Sequence, residues 1–187
     1  MRLANSQGLD DYQNICEEYI KLNNWLNGVK RRYTNGQGIT PEERKQWDPV
    51  EKKIAELNKK KQDYEKTFNN LASFENETSI GDLVSNMQYY LHEAKIPFTN
   101  KKLYVDFGTG VGGSLKGFGS NITGFQKALA HGDLKTADAY KNKLKSIFNN
   151  FQAQGNKMRK LWQEDYDIDT ADLNKWQSNY KVSEYFK

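Results

Sequence analysis

Seven residues, Tyr12, Ile15, Tyr19, Leu22, Leu26, Val29 and Tyr33, recur at intervals of 3, 4, 3, 4, 3 and 4. That spacing keeps one apolar stripe on one side of an α-helix, and no β-strand can satisfy it, because strand faces alternate every two residues. The pattern returns at Trp47, Val50, Ile54, Leu57, Lys61, Tyr64, Phe68 and Leu71, with one polar residue, Lys61, in the inward row. Between the stripes, Thr34-Asn35-Gly36-Gln37-Gly38 supplies two glycines that favour a helix stop. Thr40-Pro41-Glu42-Glu43 then has the form of a capping box with proline at the first helical position. A short loop between two such stripes makes them antiparallel neighbours, so residues 9–71 predict a long, coiled-coil-like helical hairpin. Asp10 and Asp11 are expected in the first turn and Lys30, Arg31 and Arg32 in the last, where each sign suits the helix dipole. Pro49 predicts a kink or the start of the regular part of the second helix.

The rest of the chain reads as helix with one interruption. Ile80, Leu83, Val84, Met87, Tyr90, Leu91 and Ala94 predict a middle helix over about 79–95, ended by Pro97. Leu103, Val105 and Phe107 alternate with Tyr104 and Asp106, a strand-like pattern without a partner strand, and glycines follow at 108, 110, 112, 113, 117 and 119. A short helix over 121–130 and a turn at His131-Gly132-Asp133 lead into a long helix over about 134–165, with Asp133 as its cap. Its stripe is Ala137, Tyr140, Leu144, Ile147, Phe151, Gln154, Met158 and Leu161. Asp169 or Thr170 caps a last helix bearing Leu173, Trp176 and Tyr180. The expected fold is all-α. It comprises a long N-terminal helical hairpin (1–75), a middle helix (76–96), an extended glycine-rich segment (97–120) and a C-terminal helical region (121–187) containing a second hairpin.

The chemistry-bearing motifs are few. Gly108, Gly110 and Gly113 match G-x-G-x-x-G, and Tyr104–Gly113 resembles the glycine loop of Rossmann-type methyltransferases, which implies S-adenosylmethionine. That fold needs a second parallel strand ending in an acidic residue about 20 residues on, whereas residues 121–165 read as helix, so no cofactor is expected. Asp165-Tyr166-Asp167-Ile168-Asp169 resembles the start of an EF-hand loop, but Thr170 stands at the position of the turn glycine and Trp176 at that of the bidentate glutamate, so no metal is expected. One cysteine, Cys16, excludes an intrachain disulfide framework and reads as a small hydrophobe beside the first stripe. His92 and His131 stand far apart in sequence without a nucleophile motif around either. Glu17-Glu18 and Glu42-Glu43 read as solvated helix faces, and no catalytic residues are expected.

Composition limits the function classes further. No run approaches the ~18 apolar residues of a membrane span, and no apolar stretch of signal-peptide length follows Met1, so the expected location is cytoplasmic at synthesis. A net charge of +4 permits nucleic acid as a partner without demanding it. Basic residues cluster at Lys30–Arg32 with Arg44-Lys45, at Lys59–Lys61, and at Lys157 with Arg159-Lys160. The expectation is a non-enzymatic structural or assembly protein, homo- or hetero-oligomeric, working through helix and extended-arm contacts with protein partners. Its contact residues are expected among Leu103, Val105, Phe107, Gly110, Gly113, Phe118, Lys61, Trp176 and Tyr180. The Asn- and Lys-rich composition suggests a bacteriophage virion component (neck, tail or internal protein). A second reading is a helical nucleic-acid-binding module using the basic clusters. A third rests on Tyr180-Lys181-Val182-Ser183-Glu184, whose Y-x-x-x-[DE] form resembles the C-terminal signal of helical-hairpin substrates of type VII secretion; Trp25-Leu26-Asn27-Gly28 departs from the W-x-G turn of that family.

Overall fold

The computed structural model describes residues 5–77 and 113–166. They form four helices, α1 (Ser6–Thr34), α2 (Pro41–Glu77), α3 (Phe118–Ala130) and α4 (Leu134–Tyr166), with no strand among the described residues. The expected middle helix, the strand-like run at 101–107 and the last helix lie outside the described residues. No described helix is long and apolar enough to cross a membrane.

α1 and α2 pair as the first hairpin and α3 and α4 as the second. α1 starts earlier than the stripe suggests, because Asn5 Oδ1 accepts from the Gly8 N–H at 2.7 Å and caps it. Asp10 and Asp11 therefore fall past the first turn. Asp10 instead accepts from Lys145 at 3.0 Å and lies 3.2 Å from Lys141, both on α4. Burial works against the Asp10 carboxylate, but the hydrogen bonds and charges of Lys145 and Lys141 outweigh it and lower its pKa.

The stop after α1 is a Schellman motif. The Gln37 N–H donates to Arg32 O at 2.9 Å and the Gly36 N–H to Tyr33 O at 3.2 Å, with Gly36 at φ +72°. The same device ends α3: the Asp133 N–H donates to Ala128 O at 3.0 Å and the Gly132 N–H to Leu129 O at 3.1 Å, with Gly132 at φ +71°. Asp133 then caps α4 through the Thr136 N–H at 3.1 Å. At the head of α2 the capping box forms as its sequence predicts. The Glu43 N–H donates to Thr40 Oγ1 at 3.1 Å and the Thr40 N–H to Glu43 Oε1 at 2.9 Å. α2 is continuous across Pro49.

The core is a relay of rings through all four helices. Tyr12 on α1 meets Phe68 on α2 edge to face at 5.1 Å and Phe125 on α3 at 6.1 Å. Phe68 meets Phe118 on α3 at 6.4 Å, and Phe118 meets Phe148 on α4 at 5.5 Å. All five are buried, and such pairs add about 0.5–1.5 kcal/mol each beyond area burial. Burial along α2 follows its stripe but deepens in one direction. Trp47, Val50 and Ile54 are half-buried, whereas Leu57, Tyr64, Phe68 and Leu71 are buried. The ring and ion contacts of the second hairpin fall on α1 residues 10–13 and α2 residue 68. Among the described residues, no ring or ion contact from the second hairpin reaches α1 beyond about residue 21, a stretch of about 20 Å at 1.5 Å per residue.

A second boundary and one buried face also differ from the sequence expectation. The extended segment was expected to reach residue 120, but α3 opens at Phe118, and Leu115 and Phe118 are buried in the core. In α4 the stripe of Ile147 is joined by Phe148, which is buried, while Ile147 is only half-buried. α4 packs against both α3 and α1, and a helix with two neighbours buries a wider face than one stripe.

Candidate interaction sites

The start of α3 shows why glycines precede it. Gly117 sits at φ +84° and has no side chain with which to cap the helix. Glu75 of α2 does so from across the hairpin interface: its Oε1 accepts from the Gly117 N–H at 2.8 Å and its Oε2 from the Gly119 N–H at 2.6 Å. A carboxylate at a helix N-terminus satisfies orphan donors and suits the dipole. A Cβ on Gly119 would stand 3.1 Å from Glu75 Oε2, so a side chain there would make the carboxylate give by a few tenths of an ångström.

A half-open cleft of about 490 Å³ lies where α1, α2 and α3 meet. Tyr19, Ile20, Leu129 and Ala130 form much of its apolar wall. Its polar side is one network. The Tyr12 hydroxyl donates to Glu65 Oε1 at 3.0 Å, Lys61 Nζ pairs with the same oxygen at 2.6 Å, and Lys61 also stands 5.9 Å from the Tyr19 ring centre. Lys61, the polar residue in the inward row, thus reaches the cleft edge with its charge paired. Burial opposes its ammonium, and the Glu65 bond and charge outweigh this, raising its pKa. Burial pushes the Cys16 thiol up to about 11 against the Tyr12 hydrogen bond, and burial, with Cys16 and Glu65, also raises the Tyr12 phenol. Near neutral pH Cys16 is therefore a thiol, Tyr12 a phenol and Lys61 an ammonium.

The tip of the first hairpin is built differently. Tyr33 is 62% exposed, and its ring meets Trp47 edge to face at 5.7 Å. Arg44 and Lys30 stand 5.3 and 5.7 Å from the Trp47 ring centre. Lys30 pairs with Glu51 at 2.7 Å, and Arg32 forms a forked pair with Glu43. Arg32 first, then the Thr40 bonds, bring the Glu43 carboxyl down to about 2. Glu43 is therefore a structural clamp that joins the helices, and the expectation of a merely solvated Glu42-Glu43 face is corrected for it. The first basic cluster does gather at this tip, but Glu42, Glu43, Asp48 and Glu51 are interleaved with it.

Of the expected contact residues, Lys61 lines the cleft, Phe118 lies in the core and Gly113 is exposed with open space around its Cα. Leu103, Val105, Phe107, Gly110, Trp176 and Tyr180 lie outside the described residues, as do the His92 position and the side chains of the Lys157–Lys160 cluster. His131 is exposed in the α3–α4 turn. The described residues hold no group of three His, Cys, Asp or Glu side chains placed to bind a metal. Sequence reasoning missed Glu75, Gly124 and the tip pair of Tyr33 and Trp47 as sites; for the tip, the end positions of the two stripes carried the signal.

The chain matches no protein-family model, no curated protein and no solved structure.

Proposed function

We propose that the protein is a non-enzymatic assembly or adaptor protein whose first hairpin carries protein contacts at its tip, joining copies of itself or a neighbouring chain in a larger complex. The observation that supports this most is the exposed Tyr33 ring beside Trp47, at the end of the first hairpin away from its ring and ion contacts with the second. Tyr, Trp and Arg dominate interface hot spots, because they bury large areas at small entropic cost. The Schellman turn, the capping box and the Arg32–Glu43 clamp fix this surface before it meets a partner, which lowers the ordering cost of association. A place in a bacteriophage virion fits such a role and rests on composition alone.

Light scattering behind size exclusion tests the reading over a range of concentrations. The wild-type mass is expected to rise above the 21.7 kDa of one chain, and Tyr33→Ala/Trp47→Ala is expected to return it to one chain. Assembly that survives the double variant would place the contact elsewhere. A wild-type chain that stays monomeric throughout would leave only a partner of another kind.

A further inference from the structure

Charge is divided unevenly between the two hairpins. Residues 5–77 carry 12 Lys and Arg against 13 Asp and Glu, so the basic clusters there are neutralised locally. Residues 113–156 carry six lysines and two aspartates. Of those six, Lys141 and Lys145 are committed to Asp10, and Asp138 pairs with Lys141. Asp133 is committed to capping Thr136. Lys116, Lys127, Lys135 and Lys143 are exposed and take part in no ion pair among the described residues, and the last three lie on α3 and α4. Lys135 and Lys143 flank Tyr140 along a shallow concavity of about 500 Å³, with Thr136 and Ala139 as its floor. The Tyr140 ring lies on Gly124 of α3, where an added Cβ would come within 2.4 Å of it, and Lys127 stands one turn further along α3. Lys143 Nζ stands 5.7 Å from the Tyr140 ring centre.

From this juxtaposition we infer that the outer face of the α3–α4 hairpin binds the phosphate backbone of nucleic acid without sequence preference, through Lys127, Lys135 and Lys143. Lysine ammonium groups on flexible stems act as point charges toward phosphates, and Tyr140 adds a hydroxyl of the kind that contacts backbone oxygens, whereas the Thr136 hydroxyl is already donated to Asp133. Lysine is depleted in protein interfaces, which argues against a protein on this face. A membrane surface would need several apolar side chains to insert, and among the large apolar residues only Leu134, 47% exposed, is available here. Of the usual readers of base edges, Arg, Asn and Gln are absent from the concavity's lining, and its lysines suit phosphate as well as guanine.

The test uses the full chain and a fluorescein-labelled 30-base-pair DNA duplex of arbitrary sequence, read by anisotropy. Three neutralised phosphates give a slope of log affinity on log salt near −2.7, so affinity falls about 40-fold between 50 and 200 mM salt. Lys127→Gln/Lys135→Gln/Lys143→Gln is expected to weaken binding at least tenfold at 50 mM. Lys52→Gln/Lys59→Gln/Lys66→Gln, which removes the same charge from exposed positions on α2, is expected to leave it within twofold. All six positions are exposed, so both variants should keep the wild-type denaturation midpoint. No binding at 50 mM, equal loss in the two triple variants, or an unaffected α3–α4 variant would each overturn the inference. So would binding to vesicles of 30% phosphatidylserine, lost in the α3–α4 variant, when the duplex does not bind.

Discussion

Glu75 closes a gap that α3 cannot close by itself, since Gly117 has no side chain to accept from the first N–H groups of that helix. Glu75→Ala should lower the unfolding free energy by about 1–2 kcal/mol, the range for a lost cap with unsatisfied donors, as measured by urea denaturation. Glu75→Gln should lose less, because an amide oxygen still accepts. Gly124 offers a second residue-level test. Alanine normally stabilises a helix position by about 1 kcal/mol over glycine, but here its methyl would collide with the Tyr140 ring. Gly124→Ala should therefore destabilise, and adding Tyr140→Ala should recover the helix-propensity gain of the Gly124 change relative to Tyr140→Ala alone. Purely additive effects would show that the ring does not lie where the structure places it. Glu43 gives the pH dependence. Its carboxyl titrates near 2 in the folded chain against about 4.5 unfolded, so its contribution is fully present above about pH 4.5 and disappears as pH falls toward 2. Denaturation midpoints of wild type and Glu43→Gln should differ at pH 6 and converge near pH 2. A gap that holds at pH 2 would mean that the carboxylate clamp is not its source.

At the scale of elements, what could be read in the sequence was what is periodic. Leu57, Tyr64, Phe68 and Leu71 of the α2 stripe are buried while Trp47, Val50, Ile54 and Lys61 are half-buried, and the glycine stops and the two side-chain caps at Thr40 and Asp133 sit where local chemistry puts them. The first turns of α3 could not be read so, because Gly117 and Gly119 are capped by a residue 42 and 44 positions away. Counting by threes and fours also selected Ile147 over its neighbour Phe148, since a single stripe cannot report that α4 has two partners. Phe148→Ala should cost about 3–5 kcal/mol, by removing the ring that ties α4 to Phe118, whereas Ile147→Ala should cost less. Pro49 is the opposite case, a residue that disfavours the helix it occupies. Pro49→Ala should raise the urea midpoint, because it restores a backbone donor inside α2. A lower midpoint would mean that the rigid proline ring stabilises α2 by more than its missing donor costs.

For the whole molecule, the two ends of the first hairpin are held by different contacts. The base is cross-linked by rings and ion pairs into the four-helix core, and the tip is held by the turn, the capping box and its own ion pairs. Stability and contact should therefore separate. Tyr33→Ala/Trp47→Ala should cost about 1–2 kcal/mol, well below Phe148→Ala, because Tyr33 is mostly exposed and Trp47 only half-buried. From the sequence, the contacts are expected on the extended arm and at Lys61, Phe118, Trp176 and Tyr180 rather than at the tip, since the tip exists only once two distant stripe ends, Tyr33 and Trp47, are folded against each other. The most direct measurement of that assignment is site-specific photocrosslinking in an extract of the native host. A benzophenone amino acid would replace Tyr33 in one protein and the exposed Asn149 of α4 in another. The expected result is a discrete protein adduct at position 33 and none at 149. No adduct at 33, or adducts of equal yield at both positions, would contradict a role for the tip in assembly.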